Sequence, residues 1–187
     1  MIDLLWLIPA LPFAGFLVLI LAGSRLPRIV VAVLGAGSVG FSAVVACLIG
    51  IDFVSSPLVK TSFTRTVWTW MSFEGFSPSI SFCLDSLSLL MVLVVTVVGF
   101  LIHLYSVEFM ADDDAYHRYF AYMNLFVASM VMLVLADNLA FLYLGWEGVG
   151  LCSYLLIGFY YRTVANGNAA TKAFLVTRVG DVFMAIG

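Results

Sequence analysis

The chain has 187 residues, of which 64% are hydrophobic and 10% are charged, and its mean hydropathy is +1.14. Its net charge is -3, and it contains neither a basic run suited to nucleic acid nor a glycine-rich phosphate loop. These properties exclude nucleic-acid binding and nucleotide chemistry, and they indicate a protein surrounded by lipid.

Apolar windows, taken in chain order, predict transmembrane helices. A hydrocarbon core about 30 Å thick needs roughly 20 helical residues to cross it. The windows are 4–22, 29–51, 87–106, 119–136, 139–161 and 173–187. Because the last window is short, we expect five complete spans and a truncated sixth, in one all-α polytopic membrane domain over 1–187. We also expect this sequence to be the N-terminal part of a longer protein.

Basic residues between the spans predict the orientation of the chain. The connections after the first, third and fifth spans contain Arg25, Arg28, Arg118, Arg162 and Lys172, whereas the opposite side contains Lys60 and Arg65. Because short cytoplasmic loops retain Lys and Arg, we expect the N-terminus to lie outside the cytoplasm. The first span is expected to be permanent, since Asp3 stands where a signal peptide has basic residues. His117 and Lys172 are expected at the level of the lipid headgroups.

The long second connection predicts a short β-hairpin on the outer face. Two alternating stretches, one with Trp68 and Trp70 and one with Ile80, Phe82 and Leu84, flank a segment that contains Glu74, Gly75 and Pro78. The tryptophans suit either the headgroup region or contact with a neighbouring subunit. Asp85 precedes the third apolar window and is predicted to be the N-cap of that helix.

Small residues and the cysteines are interpreted as packing positions. Ala32, Ala36 and Gly40 recur every four residues, so they share a helix face that a neighbour can approach closely. Cys47, Cys83 and Cys152 show neither metal-ligand spacing nor a disulfide pattern. We expect no metal site and no redox cofactor in this chain.

Glu147 is the most informative residue because it is a lone charge within the fifth window. A carboxyl group at this depth costs roughly 2.5 to 3.5 kcal/mol on insertion scales, which predicts a proton or ion site. Gly145, Gly148 and Gly150 surround it and clear space for another helix, a water molecule or a side chain. The alternative is a protonated glutamate that bonds a backbone carbonyl and only holds helices together.

Arg178 and Asp181 add an opposite pair of charges to the sixth window. They are three positions apart, so they lie on one helix face within reach of each other. With Glu147 on the antiparallel neighbour, they are expected to form a line of ionisable groups through the hydrocarbon region. A cation that moves toward Glu147 favours its ionised form, and one that moves away favours its protonated form. His103 is a candidate proton relay, although a lone interfacial histidine is more often structural.

The segment 144–161, LGWEGVGLCSYLLIGFYY, resembles the fifth span of the antiporter-like subunits of respiratory complex I, NADH:quinone oxidoreductase. The similarity is to the largest type, subunit L or mitochondrial chain 5, and also covers 68–72, 99–105, 120–126, 133–139 and 172–183. It implies a proton-translocating module of the membrane arm, coupled to quinone reduction elsewhere in the complex. It matches Glu147 to the fifth-span glutamate of the family, and Arg178 and Asp181 to charged positions of the sixth span.

The resemblance also implies the surroundings of the chain. NADH, flavin, iron–sulfur clusters and quinone would be bound by other subunits. The partners would be lipid and other membrane-arm subunits, especially a neighbouring antiporter-like subunit. The match to bacterial versions favours a bacterial cell inner membrane over a mitochondrial one. The seventh-span lysine, second repeat and lateral helix of the family are not in this sequence, so we expect this segment alone not to pump protons.

Two other functions stay open at this point. A subunit of a multi-subunit sodium/proton antiporter would share the ancestral fold and the fifth-span glutamate, although the residues around Glu147 favour complex I. A structural membrane subunit would use its buried charges only to specify helix packing. Finding quinone-reductase partners in a pull-down would decide against the antiporter alternative. The structural alternative predicts that neutralising Glu147 impairs assembly more than turnover.

Overall fold

The computed structural model describes residues 2–55, 62–69 and 79–187, which form a helical protein with one small sheet. The helices are α1 (Leu7–Ala22), α2 (Arg28–Ser55), α3 (Ser86–Phe109), α4 (Tyr116–Val134), α5 (Leu139–Ile157) and α6 (Val164–Ile186). The strands are β1 (Ser62–Thr69) and β2 (Ser79–Asp85). Short 3₁₀ turns at Ile2–Leu4 and Gly23–Arg25 flank α1, and α3 contains a π turn at Val94–Val98.

Within the described ranges, four helical stretches are long and apolar enough to cross a membrane. They are Ile2–Arg25, Arg28–Ser55, Ser86–Phe109 and Leu139–Ile157. α4 is not among them because His117 and Arg118 lie in its first turn, and α6 is not because it contains Lys172, Arg178 and Asp181. Length and hydropathy therefore support four spans, whereas the sequence predicts five complete spans.

Two helix boundaries differ from the predicted windows. α5 ends at Ile157 rather than at 161, and α6 begins at Val164 rather than at 173. Hydropathy locates an apolar stretch, whereas a helix continues through polar residues as long as its backbone hydrogen bonds are made. Lys172 is therefore exposed within α6 and does not stand at the start of that helix.

α4 is the central helix of the described chain. It packs against α1, α2 and α5. Phe120, Val127 and Val131 are buried at helical spacing along it. α6 packs against α5 at the edge of this bundle.

The predicted β-hairpin is confirmed for its two strands, which pair antiparallel with a bulge between Thr66 and Trp68. Phe82 and Leu84 of β2 are buried in the core, as their alternation predicts. Trp68 is 60% exposed, so it is free to meet lipid or a partner. The predicted turn residues Glu74, Gly75 and Pro78, with Trp70 and Lys60, lie outside the described residues.

The hairpin is joined to the turn between α4 and α5. The Cys83 amide donates to the carbonyl of Leu135 at 2.7 Å, and the Asp137 amide donates to the carbonyl of Ser81 at 3.2 Å. Asn138 accepts a hydrogen bond from the Phe141 amide at 2.9 Å, which makes it the N-cap of α5. β2 thereby fixes where α5 begins.

Asp85 is the N-cap of α3, as predicted. Its carboxylate accepts from the Ser88 amide, and the Ser88 hydroxyl accepts from the Asp85 amide, both at 2.7 Å. The hydrogen bonds from Ser88 lower the pKa of Asp85. This carboxylate therefore acts structurally at the start of α3.

Contacts between connections show that three of them share one side of the bundle. Arg28, which follows α1, donates to the carbonyl oxygens of Ala111 and Asp113, which precede α4. Arg118 donates to the carbonyl of Phe159, which follows α5, at 3.4 Å. These are the connections in which the basic residues concentrate. The assignment of this side to the cytoplasm stays a prediction.

The small residues and cysteines that were predicted to pack differ in their burial and in their neighbours. Ala36 is buried, and the face of α2 at Gly40 receives the aromatic ring of Phe100 rather than another backbone. Cys152 is buried, whereas Cys47 is exposed on the surface of α2. The three cysteines are free thiols, so they form no disulfide.

A serine of α2 bonds a backbone carbonyl that a proline of α1 leaves free. Pro12 lies inside α1, and because it has no amide proton it cannot bond the carbonyl of Ile8. The Ser42 hydroxyl of α2 donates to this carbonyl at 2.6 Å and is fully buried. Where no water is present, a freed carbonyl needs such a partner.

We expect Ser42→Ala to weaken the α1–α2 contact by about 1 kcal/mol, because the Ile8 carbonyl loses its hydrogen-bond donor. The measurement is the thermal unfolding midpoint of the detergent-solubilised full-length protein. The same substitution is also measured in a Pro12→Ala protein. There the amide restored at position 12 can bond the Ile8 carbonyl within α1, so loss of the Ser42 hydroxyl should matter less. Equal effects of Ser42→Ala with and without the Pro12→Ala substitution would contradict this account.

Candidate functional site

Glu147 lies near the middle of α5 and faces α6. Its side chain is 23% exposed in the described chain. The Asn138 cap and the hairpin set the start of α5, and with it the height of this carboxylate in the bundle. Glu147 is thus held at a defined position rather than at a flexible helix end.

Arg178 of α6 contacts two carboxylates. Its Nη1 forms an ion pair with Oε2 of Glu147 and lies 3.6 Å from Oδ2 of Asp181. Its Nη2 donates to the backbone carbonyl of Glu147 at 3.4 Å. The structure thus brings the three charged residues predicted in these spans together in one cluster, with Arg178 in contact with both carboxylates.

Asp181 is the most enclosed member of the charge cluster, which comprises Glu147, Arg178 and Asp181. It is 6% exposed, and its Oδ1 accepts a hydrogen bond from the Trp146 indole N–H at 2.7 Å. Sequence reasoning assigned no role to Trp146. The available signal was an indole N–H within an apolar helix, which needs an acceptor where no water reaches it.

An aromatic side chain also holds the guanidinium of Arg178. Its Cζ lies 4.4 Å from the ring centroid of Phe174, one turn earlier on α6. The Phe174 ring lies 5.3 Å from that of Tyr154 on α5. The cation therefore lies between the Phe174 ring and the two carboxylates, and Tyr154 packs against that ring.

The glycines around Glu147 face different neighbours. A side chain at Gly145 would meet the Leu133 backbone at 2.7 Å, and one at Gly148 would meet the Ser129 hydroxyl at 2.7 Å. Both glycines therefore let α5 approach α4. Of the three, only Gly150 borders the charge cluster, since a side chain there would lie 3.7 Å from Nη2 of Arg178. Of the occupants predicted for this space, another helix is thus found at Gly145 and Gly148, and a side chain at Gly150.

The charge cluster contains two acids and one base. With both carboxylates ionised it has one uncompensated negative charge, and binding of one proton makes it neutral. In surroundings of low polarity a neutral cluster is much less costly than a charged one. Beside one permanent cation, the arrangement therefore offers two carboxylates as proton acceptors.

His103 lies apart from the charge cluster. It is fully buried in α3, its Nδ1 bonds the Gly99 carbonyl at 2.7 Å, and its ring lies 6.0 Å from that of Phe120. Among the described residues, its Nε2 has no hydrogen-bond partner. Its contacts do not join it to Glu147, so the relay role predicted for His103 gains no geometric support from them.

Metal-binding side chains do not gather in the described part of the chain. There, no group of three or more His, Cys, Asp or Glu residues is placed to hold an ion. The charge cluster has only two carboxylates, and Arg178 already occupies the space between them. Its geometry suits proton binding better than metal binding.

Family comparisons match both halves of the chain. The model described as NADH-Ubiquinone oxidoreductase (complex I), chain 5 N-terminus, matches residues 70–120. The model described as NADH:quinone oxidoreductase/Mrp antiporter, TM, matches residues 136–187, which contain the charge cluster. The chain belongs to the antiporter-like subunit family of NADH:quinone oxidoreductase. The resemblance found in the sequence is thereby confirmed, and this antiporter-like chain is a multi-pass membrane protein.

Relatives of the antiporter-like chain carry the same name in several bacteria. NADH-quinone oxidoreductase subunit L of Escherichia coli (strain K12) is 54% identical over 183 residues, covering 98% of this chain and 30% of that protein. Subunit L of Pseudomonas aeruginosa is 54% identical over 176 residues, covering 94% and 29%. Subunit L of Mycobacterium tuberculosis (strain H37Rv) is 42% identical over 182 residues, covering 97% and 29%. The chain thus spans about 30% of the length of these relatives.

A solved structure shares the fold of the antiporter-like chain. It is the Mrp complex from Dietzia sp. DQ12-45-1b, which matches with a TM-score of 0.75 and 26% sequence identity. The match covers 95% of this chain and 18% of the matched chain. The fold described above is therefore shared with this chain of the Mrp complex.

Proposed function

We propose that this chain is part of a proton-translocating membrane-arm subunit of NADH:quinone oxidoreductase. The observation that carries the proposal is the contact of one guanidinium, Arg178, with two carboxylates, Glu147 and Asp181. Relatives named as subunit L of that enzyme support it. The chain would contribute a proton path, and quinone reduction would occur in other subunits.

The proposed mechanism uses the spare negative charge of the cluster. While Arg178 stays next to Glu147, its charge favours the ionised carboxylate. If the guanidinium turns toward Asp181, Glu147 is left in surroundings of low polarity and takes up a proton. Because the indole of Trp146 holds Asp181, the guanidinium is the moving partner. Alternation between the two positions would load and release one proton.

The test is Glu147→Gln in the full-length protein, assayed in inverted membrane vesicles. NADH-driven proton uptake is normalised to NADH oxidation and to the amount of assembled complex. We expect uptake per NADH, or turnover itself, to fall to a small fraction of the normal value, because glutamine keeps the shape of the side chain but binds no exchangeable proton.

Glu108→Gln is the matched control, since Glu108 is an exposed glutamate at the end of α3, away from the charge cluster. It should pump normally. If Glu147→Gln assembles, turns over and pumps like Glu108→Gln, then Glu147 is no part of the proton path. If assembly falls while the remaining complex pumps normally, the charges serve helix packing.

A second candidate function is a subunit of a multi-subunit sodium/proton antiporter. The similarity to the Mrp complex from Dietzia favours it, since that match covers 95% of this chain. Affinity purification of the full-length protein separates the two. Co-purification of quinone-reducing subunits supports the complex I proposal, and co-purification of antiporter subunits alone supports the second candidate.

Further features belong to the same proposal. α4 would be a fifth complete span, shielded by its neighbours despite Arg118, and α6 would be part of a sixth, within one membrane domain over 1–187. The protein would lie in a bacterial cell inner membrane beside another antiporter-like subunit. NADH, flavin, iron–sulfur clusters and quinone would be bound by other subunits, with no redox cofactor here.

A further inference from the structure

A polar cleft lies where α4 begins and α5 ends, away from the charge cluster. Its volume is about 490 Å³. Its charged and phenolic lining residues are Asp113, Asp114, Arg118, Tyr160, Tyr161 and Arg162. They belong to connections on the side of the bundle where basic residues concentrate. The proposed proton path uses none of them, so the cleft needs a separate explanation.

Two arginines line the cleft. The Cζ of Arg118 lies 5.5 Å from the Phe159 ring centroid and 5.1 Å from that of Tyr161, so two aromatic rings hold this guanidinium. Its Nε is buried and finds no acceptor in the described part of the chain. A hydrogen bond with Arg118, helped by the charges of Arg118 and Arg162, lowers the pKa of Tyr161. Two guanidinium groups thus converge near one phenol, which suits a bound anion.

Two aspartates also line the cleft. The side chain of Asp113 shares a hydrogen bond with the Tyr160 hydroxyl, which raises the pKa of this phenol. Asp114 is exposed at the same wall. Two aspartates and two arginines therefore line one cavity, and the cleft carries charges of both signs rather than one sign throughout.

A crevice adjoins the cleft at Arg118. A second cavity of about 190 Å³ shares Arg118, Phe159 and Tyr161 with it. This crevice runs between α5 and α6, where Leu155 and Ala170 line it. A ligand that filled both cavities would need a dipolar head and an apolar continuation.

We propose that the cleft and crevice bind a zwitterionic phospholipid whose headgroup carries a phosphate and a primary ammonium, as in phosphatidylethanolamine. The phosphate would bind Arg118 and Arg162, and the ammonium would face Asp113 and Asp114. The first methylenes of the acyl chains would enter the crevice beside Leu155. An anionic headgroup would leave the aspartates facing negative charge, and free phosphate would leave the crevice unfilled.

The test uses the purified full-length protein in its complex, reconstituted with photo-crosslinkable phosphatidylethanolamine or phosphatidylglycerol at equal mole fraction. Labelling of residues 154–170 is quantified by peptide mass spectrometry. We expect stronger labelling by phosphatidylethanolamine, reduced about tenfold by Arg118→Gln and by Arg162→Gln, which remove charge-assisted hydrogen bonds. Asp114→Asn should reduce labelling by phosphatidylethanolamine but not by phosphatidylglycerol.

Arg25→Gln is the matched control, since Arg25 is exposed on the same side but does not line the cleft. It should label normally. If Arg118→Gln prevents assembly, the exposed Arg162 still gives the measurement. Equal labelling by the two lipids, labelling unaffected by Arg162→Gln, or displacement of phosphatidylethanolamine by inorganic phosphate would each overturn the proposal.

Discussion

Replacing Arg178 by methionine in the full-length protein is expected to remove most of the assembled complex from the membrane. The substitution leaves Glu147 and Asp181 without their shared cation in a site where neither is fully exposed. Loss of one partner of a buried ion pair typically costs about 3 to 5 kcal/mol, because the remaining charge is uncompensated. The measurement is the amount of complex on a native gel, together with its unfolding midpoint.

Removing the two carboxylates that Arg178→Met leaves unpaired should restore part of the assembled complex. We expect Arg178→Met combined with Glu147→Gln and Asp181→Asn to assemble better than Arg178→Met alone, without regaining proton translocation. Arg25→Met removes an exposed arginine and serves as the control. Normal assembly of Arg178→Met, or no repair in the triple variant, would show that the charge cluster does not hold α6 on α5.

Gly145→Ala is expected to have the second largest effect, because the added methyl group has no room. It would lie 2.7 Å from the Leu133 amide nitrogen and 2.8 Å from its Cα, and a helix backbone cannot turn aside as a side chain can. Overpacking of this kind costs about 1 to 3 kcal/mol, and more where backbone must move. The unfolding midpoint of the solubilised complex measures it.

Gly37→Ala provides the comparison for Gly145→Ala. Gly37 also lies within a helix, but a side chain there would meet nothing within 4 Å. The same substitution should therefore be neutral or stabilise α2 by about 0.5 to 1 kcal/mol through helix propensity. If both variants lose stability equally, the close approach of α5 to α4 is not the cause.

The sequence predicts the members of the charge cluster but not their arrangement. Glu147, Arg178 and Asp181 stand out because charges in apolar windows are rare. Whether they touch depends on how α5 and α6 are rotated about their axes, which a pattern within one helix does not specify. For the same reason the glycines of α5 could be assigned to packing, but not to a particular neighbour.

Polar packing residues were the features that sequence reasoning missed. Asn124 is fully buried in α4, accepts from the Ser38 hydroxyl at 2.5 Å and donates to the carbonyls of Gly35 and Phe120. A single Asn or Ser in an apolar window carries little signal, because its partner lies on another helix. The hairpin strands and the Asp85 cap were predicted, since both depend on residues close together in the chain.

The hydrogen bond from Ser42 to Ile8 has a consequence for how the protein enters the bilayer. Alone in lipid, α1 would carry a bare carbonyl beside Pro12, whereas the Ser42 hydroxyl of α2 has a carbonyl of its own helix within reach. Packing of α2 on α1 removes the defect of α1, so the pair is more soluble in lipid than α1 by itself. α1 and α2 should therefore leave the translocon together, as a helical hairpin, rather than one after the other.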